Sequence, residues 1–406
     1  MPTSSAPFSR PGIASANVLS QLPAPDAAAQ AHSEKLIASI AAEIAAAGGQ
    51  ISFARYMELA LFAPGLGYYP AGARKFGEQG DFVTAPEISP LFSRALAQQL
   101  AEVLCAFDGA GDVLEVGGGS GVMAADMLAE LEILDALPAQ YLILELSADL
   151  QERQRETLAT RVPHLLERVR WLHELPAPGF RGVVVANELL DALPVQCFVT
   201  RENGVQERCV GFAEGRFQWT DTMPDGLLLP EHLTEIVAKL PPGYASEINP
   251  AATGWVQSIA SLLDAGVVLL IDYGYAAAEY YHPRRDGGTL MCHYRHRAHD
   301  DPFVYPGLQD ITAHVDFTAI AEAAVSAGLE VRGYNTQGFF LLGNGISELA
   351  QPFEKLDERQ QILQAQQLRT LTLPAEMGER FKVIALAQNY HQPLRGFAMQ
   401  DLRHQL

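Results

Sequence analysis

Val113-Leu114-Glu115-Val116-Gly117-Gly118-Gly119-Ser120-Gly121 is the stretch on which the reading of this 406-residue chain turns. Val113 to Val116 is apolar except for Glu115, the pattern of a short strand buried on both faces. Glycines at 117, 119 and 121 allow a tight turn and close approach of the backbone to a ligand, with no Cβ in the way. The apolar-periodic segment Val122 to Leu131 then predicts a helix, whose first N–H groups face whatever lies above the strand end. A dinucleotide fingerprint G-x-G-x-x-G needs glycine or alanine where this chain has Val122, and no G-x-x-x-x-G-K-[ST] occurs. An NAD oxidoreductase and a P-loop nucleotidase are therefore disfavoured. The bland alternative is a turn that serves only strand-to-helix packing.

Outward from this turn, strand and helix signals alternate. Tyr141 to Leu146, Val169 to Leu172 and Gly182 to Asn187 read as further strands, with a helix from Ala148 to Thr160. Later come a helix over Ala252 to Leu263, a strand over Val267 to Asp272, and closing strands at Gly338 to Leu342 and Phe381 to Ala387. Such alternation predicts an α/β fold with a doubly wound sheet. Hairpin signals at Asn203-Gly204 and Glu214-Gly215 predict an inserted antiparallel β unit over 195–246, splitting a core of 111–194 and 247–390. Upstream, residues 33–110 read as a helical and loop lid. Its helices span Ser33 to Ala47, Phe53 to Phe62 and Leu91 to Phe107, with a long ordered loop from Pro64 to Pro90. The apolar Leu91 to Phe107 helix suits a core or the interface of a homodimer. Residues 1–32, rich in Ala, Pro and Ser, read as a disordered tail.

Composition narrows the partners. With 28 Lys plus Arg against 48 Asp plus Glu, the formal net charge is −20, which repels a phosphate backbone and favours a cationic partner such as an arginine-bearing polypeptide. No apolar run approaches the roughly 20 residues of a membrane span. Cys105, Cys197, Cys209 and Cys292 form no C-x-x-C pair, so neither a zinc ribbon nor a disulfide framework is expected, and the thiols read as reduced. The tail carries one arginine, fewer than a mitochondrial presequence wants, so the cytoplasm is expected rather than the mitochondrial matrix. Cys292-His293-Tyr294-Arg295-His296-Arg297 lacks metal-ligand spacing and holds two arginines that repel a cation; it reads as a cationic loop, and no metal is expected.

Two further elements carry chemistry. Glu145, at the tip of the second strand, can accept hydrogen bonds from both hydroxyls of a ribose; alone, it is equally a solvated strand-end carboxylate. Asn187-Glu188-Leu189-Leu190-Asp191-Ala192-Leu193-Pro194 follows the fourth strand, and ligands in open α/β sheets sit beyond such strand ends. Glu188 and Asp191 can orient an amine or guanidinium, or cap the next helix. His314 and Asp316 read either as acid-base partners or as a core imidazole and a helix cap.

Glu115-x-Gly117-x-Gly119-x-Gly121 resembles the first motif of class I methyltransferases. The chain as a whole resembles the MidA-like family, through this turn, Gly80-Asp81-Phe82-Val83-Thr84-Ala85-Pro86-Glu87-Ile88-Ser89, Asn187 to Pro194, Ile271-Asp272-Tyr273-Gly274, and Asp310 to Phe317. The resemblance implies a seven-stranded methyltransferase core, an N-terminal helical lid, an insertion after the fourth strand, and S-adenosyl-L-methionine as cofactor. It places Glu115, Gly117, Gly119, Gly121, Glu145 and Asn187 around that cofactor, with Asp81, Thr84 and Glu87 closing over it, and Glu188, Asp191 and His314 on the catalytic side. Arginine methylation on a mitochondrial respiratory complex I subunit, known in the family, implies a protein arginine as acceptor. A non-catalytic assembly factor and a small-molecule methyltransferase stay open.

Overall fold

The computed structural model of the chain describes residues 22–70, 83–223, 227 and 229–406; Asp81 and the tail before residue 22 lie outside these residues. The chain enters through helix α1 (Ala27–Ala46), strand β1 (Gln50–Ser52) and helix α2 (Phe53–Phe62). α1 starts earlier than expected, inside the stretch read as a tail. The Asp26 carboxylate caps it, accepting from the Ala29 N–H at 2.9 Å. Ser33, the expected cap, is buried within the helix and donates to the Pro306 carbonyl at 2.8 Å. Then come α3 (Ala85–Ile88) and α4 (Pro90–Cys105). α4 buries Leu91, Phe92, Leu96 and Leu100 in the same core as the main sheet, so the first of its two expected settings is the one observed.

The main sheet begins with β2 (Asp112–Val116), α5 (Val122–Ile133), β3 (Tyr141–Leu144), α6 (Ala148–Arg161), β4 (Val169–Leu172) and β5 (Phe180–Asn187). The chain then leaves for β6 (Gln196–Arg201), β7 (Gly204–Ala213), β8 (Arg216–Thr222) and β9 (Ala245–Ile248). It returns as β10 (Leu263–Tyr275), makes β11 (Met291–Tyr294), β12 (Arg297–His299), β13 (Asp310–Thr312) and β14 (Val315–Asp316), and closes with β15 (Glu330–Thr336) and β16 (Phe381–Gln388). The order β4-β3-β2-β5-β10-β16-β15 is the expected seven-stranded doubly wound sheet, with β16 antiparallel to both neighbours and β14 appended to β10. The chain runs outward from β2 to one side and resumes with β5 on the other. A crevice therefore opens above the carboxyl ends of β2 and β5.

One expected strand is a helix. Gly338 to Leu342 lies within helix Gln337–Gly343, capped by the Thr336 hydroxyl, and the strand sits just upstream as β15. A five-residue apolar run fits either element, and the threonine cap tips it to helix. The inserted unit is an antiparallel sheet, β1-β7-β6-β9 with β8 beside β7. Its second turn is Glu214-Gly215 as expected, both at positive φ. The first turn is Glu202-Asn203, one residue earlier than expected, because Arg201 pairs with Gly204. The expected cationic loop is a β-hairpin, β11 to β12, turning through Arg295 and His296 at φ 48° and 61°. α1 and α2 pack on the inserted sheet through Leu36, Ile40, Phe53 and Tyr56, against Val195, Val210 and Phe217. Among the described residues, no helix is long and apolar enough to cross a membrane.

Candidate active site

A cavity of about 930 Å³ occupies the crevice, toward the upper end of the range for ligand pockets. Its floor is the turn after β2. Gly117, Gly119 and Gly121 all take positive φ (76°, 50° and 80°), which a side chain resists. A Cβ on Gly119 would meet nothing within 4 Å, so its absence leaves the space above the turn clear. Gly121 does not line the cavity; its missing Cβ instead admits the Gln154 backbone of α6, 2.9 Å from where that atom would stand. Glu115 is fully buried beneath the turn. The Tyr141 hydroxyl donates to its Oε2 at 2.5 Å, while Oε1 is buried without a partner. Burial pushes this carboxyl up to about 7, against the Tyr141 hydrogen bond. Glu145 follows β3 at the cavity wall, with its carboxylate held by the Ser147 N–H and the Gln154 amide at 2.9 and 3.3 Å.

The segment from Val83 covers this side. Thr84 and Glu87 line the cavity, and the Ser120 hydroxyl of the glycine turn donates to Glu87. The Ala85 backbone, at the start of α3, lies close enough to the end of β5 to lower the Glu188 pKa against the effect of burial. Asn187 lines the cavity with Oδ1 buried and unpartnered, its amide donating to Glu188 at 3.1 Å.

Above β5 and β10 the cavity is acidic. Glu188 takes left-handed φ 53°, which costs a non-glycine residue about 1 kcal/mol or more. Burial and the neighbouring Asp191 charge push its carboxyl up to about 8. Asp191 accepts from the Tyr273 hydroxyl through Oδ2, while Oδ1 is buried with no partner. Its loop is held by fully buried Asp272, which accepts from the Leu190 and Asp191 N–H groups at 2.9 and 3.2 Å. Burial raises both carboxyls, and Asp191 raises Asp272 further. Asp310 completes the wall, its Oδ1 accepting from the Tyr69 hydroxyl at 3.1 Å. His314 borders it, with its ring stacked on Tyr275; burial and the Arg285 charge lower it to about 4, so it is neutral at neutral pH. Asp316 turns away to cap helix Phe317–Ser326.

Of the residues singled out in the sequence, Thr84, Glu87, Glu115, Gly117, Gly119, Glu145, Asn187, Glu188, Asp191 and His314 meet around this one cavity. Tyr69 belongs to the Pro64 to Pro90 loop, whose aromatic and polar residues point to function; Asp310 and Tyr273 were not singled out, although both stand in stretches quoted above, and nothing in their spacing distinguishes them. Buried polar atoms in proteins are almost always satisfied, so three unpartnered oxygens on Glu115, Asn187 and Asp191 call for a ligand rich in donors. An amino group over Glu115 and a ribose beside Glu145 fit S-adenosylmethionine.

The sequence matches, over residues 95–335, the family described as "Putative S-adenosyl-L-methionine-dependent methyltransferase". The fold is similar to the crystal structure of a superfamily member from Burkholderia thailandensis bound to S-adenosyl-homocysteine. That likeness has 45% identity and a TM-score of 0.89, over 95% of this chain and 100% of the other. The sequence is similar to the mitochondrial protein arginine methyltransferase NDUFAF7 of Mus musculus, at 29% identity over 86% of this chain and 83% of that one. The Danio rerio counterpart is 28% identical, over 84% of each. The chain belongs to the MidA-like family of S-adenosyl-L-methionine-dependent methyltransferases.

Proposed function

We propose that the chain transfers a methyl group from S-adenosylmethionine to a guanidinium nitrogen of arginine in a protein partner. The observation that carries this reading is the wall of three carboxylates, Glu188, Asp191 and Asp310, on the acceptor side of the cavity. The names of the 28–29% identical relatives point the same way.

In this reading Glu115 and Asn187 hold the amino-acid part of the cofactor, Glu145 grips its ribose, and Thr84, Glu87 and Ser120 close over it. The cofactor supplies an electrophilic methyl on a sulfonium. Glu188 and Asp191 take the guanidinium by charge-assisted hydrogen bonds and keep it planar, with one nitrogen aimed at that methyl. They need not deprotonate it first, since its pKa lies above about 12. The cationic guanidinium lying against Glu188 draws it into its ionised form, and as the new C–N bond forms and the nitrogen becomes acidic, that carboxylate is placed to receive the proton. Tyr273 and Tyr69 fix the outer carboxylates.

The test is mass spectrometry of methylarginines in cells with and without the protein, together with methyl transfer from labelled S-adenosylmethionine to lysate proteins. A set of arginines methylated only when the protein is present is expected. Label that appears on small metabolites or on other side chains would overturn the arginine acceptor and leave the family assignment standing.

A further inference from the structure

Cations gather next to the carboxylates. Arg380 lines the cavity where the chain enters β16. Two residues on, the Lys382 Nζ lies 5.3 Å from the centroid of the Tyr275 ring, and the Arg285 guanidinium lies 4.0 Å from the same centroid. That ring stacks on the His314 imidazole at the cavity wall, centroids 5.4 Å apart. The charges of Arg285, Lys382 and Arg380 all bear on His314. Among the described residues none of the three forms an ion pair; Lys382 donates to the Glu379 carbonyl, and the Glu279 and Glu379 carboxylates act on it at longer range. In a chain of net charge −20 this edge gathers three cations.

The sheet sets the distance between the two charge groups. Phe381 pairs with Tyr273 in the β10 to β16 register, and Tyr273 is the hydroxyl donor to Asp191. Neighbouring strands stand about 4.8 Å apart, so Arg380 lies within two or three residues' reach of the carboxylate wall.

We infer that this edge selects polypeptides whose target arginine has an aspartate or glutamate two or three residues away, its carboxylate docking on Arg380 with Arg285 and Lys382 behind. The inference rests on the arginine reading of the acidic wall. An arginine inserted between Glu188, Asp191 and Asp310 leaves its backbone at the cavity mouth. An extended peptide there advances about 3.3 Å per residue, which carries a near neighbour across to β16.

The test uses the full chain with S-adenosylmethionine and three peptide sets, each with one central arginine flanked by Asp, Ala or Lys. The Asp set is expected to exceed the Lys set in kcat/KM by about five- to tenfold at low salt, from two partly exposed charge contacts, at Arg380 and Arg285. The margin should shrink as salt rises. Arg380→Glu should invert the order. The ratio is taken within one preparation, so a lower folded fraction cancels. Fluorescence anisotropy of labelled peptides, without turnover, should show the same inversion. Equal turnover of all three sets, or one ratio shared by the wild type and Arg380→Glu, would overturn this inference alone. Failure to methylate any arginine peptide, with S-adenosylhomocysteine binding intact, would overturn the arginine reading beneath it.

Discussion

Replacing Glu188 by glutamine should make the protein more stable at alkaline pH while removing its activity. The carboxyl lies between Asn187, Asp191 and the Ala85 N–H, and is pushed from an ordinary 4.5 up to about 8, chiefly by burial and then by the Asp191 charge. Because it binds its proton more tightly folded than unfolded, its contribution to stability is complete below about 4.5 and is lost as pH rises through about 8. Glutamine has the shape of the protonated acid and suffers no such loss. At about 1.36 kcal/mol per pK unit the ceiling is about 4.8 kcal/mol. Water in the cavity and joint titration with Asp191 and Asp272 reduce this to about 2 kcal/mol. Turning one carboxylate oxygen into an amide nitrogen adds a desolvation cost of about 1 kcal/mol that does not vary with pH. Urea unfolding of both proteins at about pH 5 and about pH 8.5 separates the two effects. The stability difference should move in favour of Glu188→Gln by about 2 kcal/mol between those conditions. A difference that stays flat would refute the reasoning, because Glu188 would then ionise as it does in the unfolded chain. Methyl transfer should fall by about a hundredfold in the same variant, from loss of one charged hydrogen-bond partner of the acceptor.

Glu145→Ala should weaken S-adenosylhomocysteine by about ten- to a hundredfold in calorimetry, the worth of one or two hydrogen bonds to a carboxylate; an unchanged affinity would remove Glu145 from the ribose. Gly119→Val places a branched side chain at φ 50° in the space above the turn. It should cost about 1–2 kcal/mol of stability and abolish detectable cofactor binding, and a variant that still binds would show the nucleoside lying elsewhere. Tyr273→Phe deletes the hydroxyl that lowers the Asp191 pKa, so the acid limb of the kcat profile should move to higher pH, and a limb that stays in place would show that Asp191 does not control it.

The parts of this molecule that were legible in the sequence are those set by local chemistry. Val113 to Val116, the glycine turn and Gly182 to Asn187 carry their own evidence, since an apolar run buried on two faces and a positive-φ turn are properties of a few adjacent residues. Glu145 and Glu188 were readable because strand ends at a switch point are where ligands sit. What was hidden depended on distance. β1 joins β7 across more than 150 positions, from Ser52 to Cys209, and no pattern in three residues announces that partner. Asp310 acquires its place from tertiary packing alone. Other misses were competing local signals. Thr336 turns an apolar run into a helix, and Asp26 caps α1 ahead of Ser33. Arg295 and His296 form a left-handed turn without glycine.

The hydrogen bond from Tyr69 to Asp310 spans 241 positions. The proposed nucleoside berth, by contrast, draws most of its residues from Glu115 to Glu145. Closing a long loop costs chain entropy before any contact repays it. Assembly of the two halves should therefore be ordered in time: a nascent domain could recognise its coenzyme while the wall of carboxylates proposed to take the guanidinium was still unmade. Removing α1, α2 and Tyr69 while keeping α3 and α4 would accordingly leave a protein that is loaded but chemically idle.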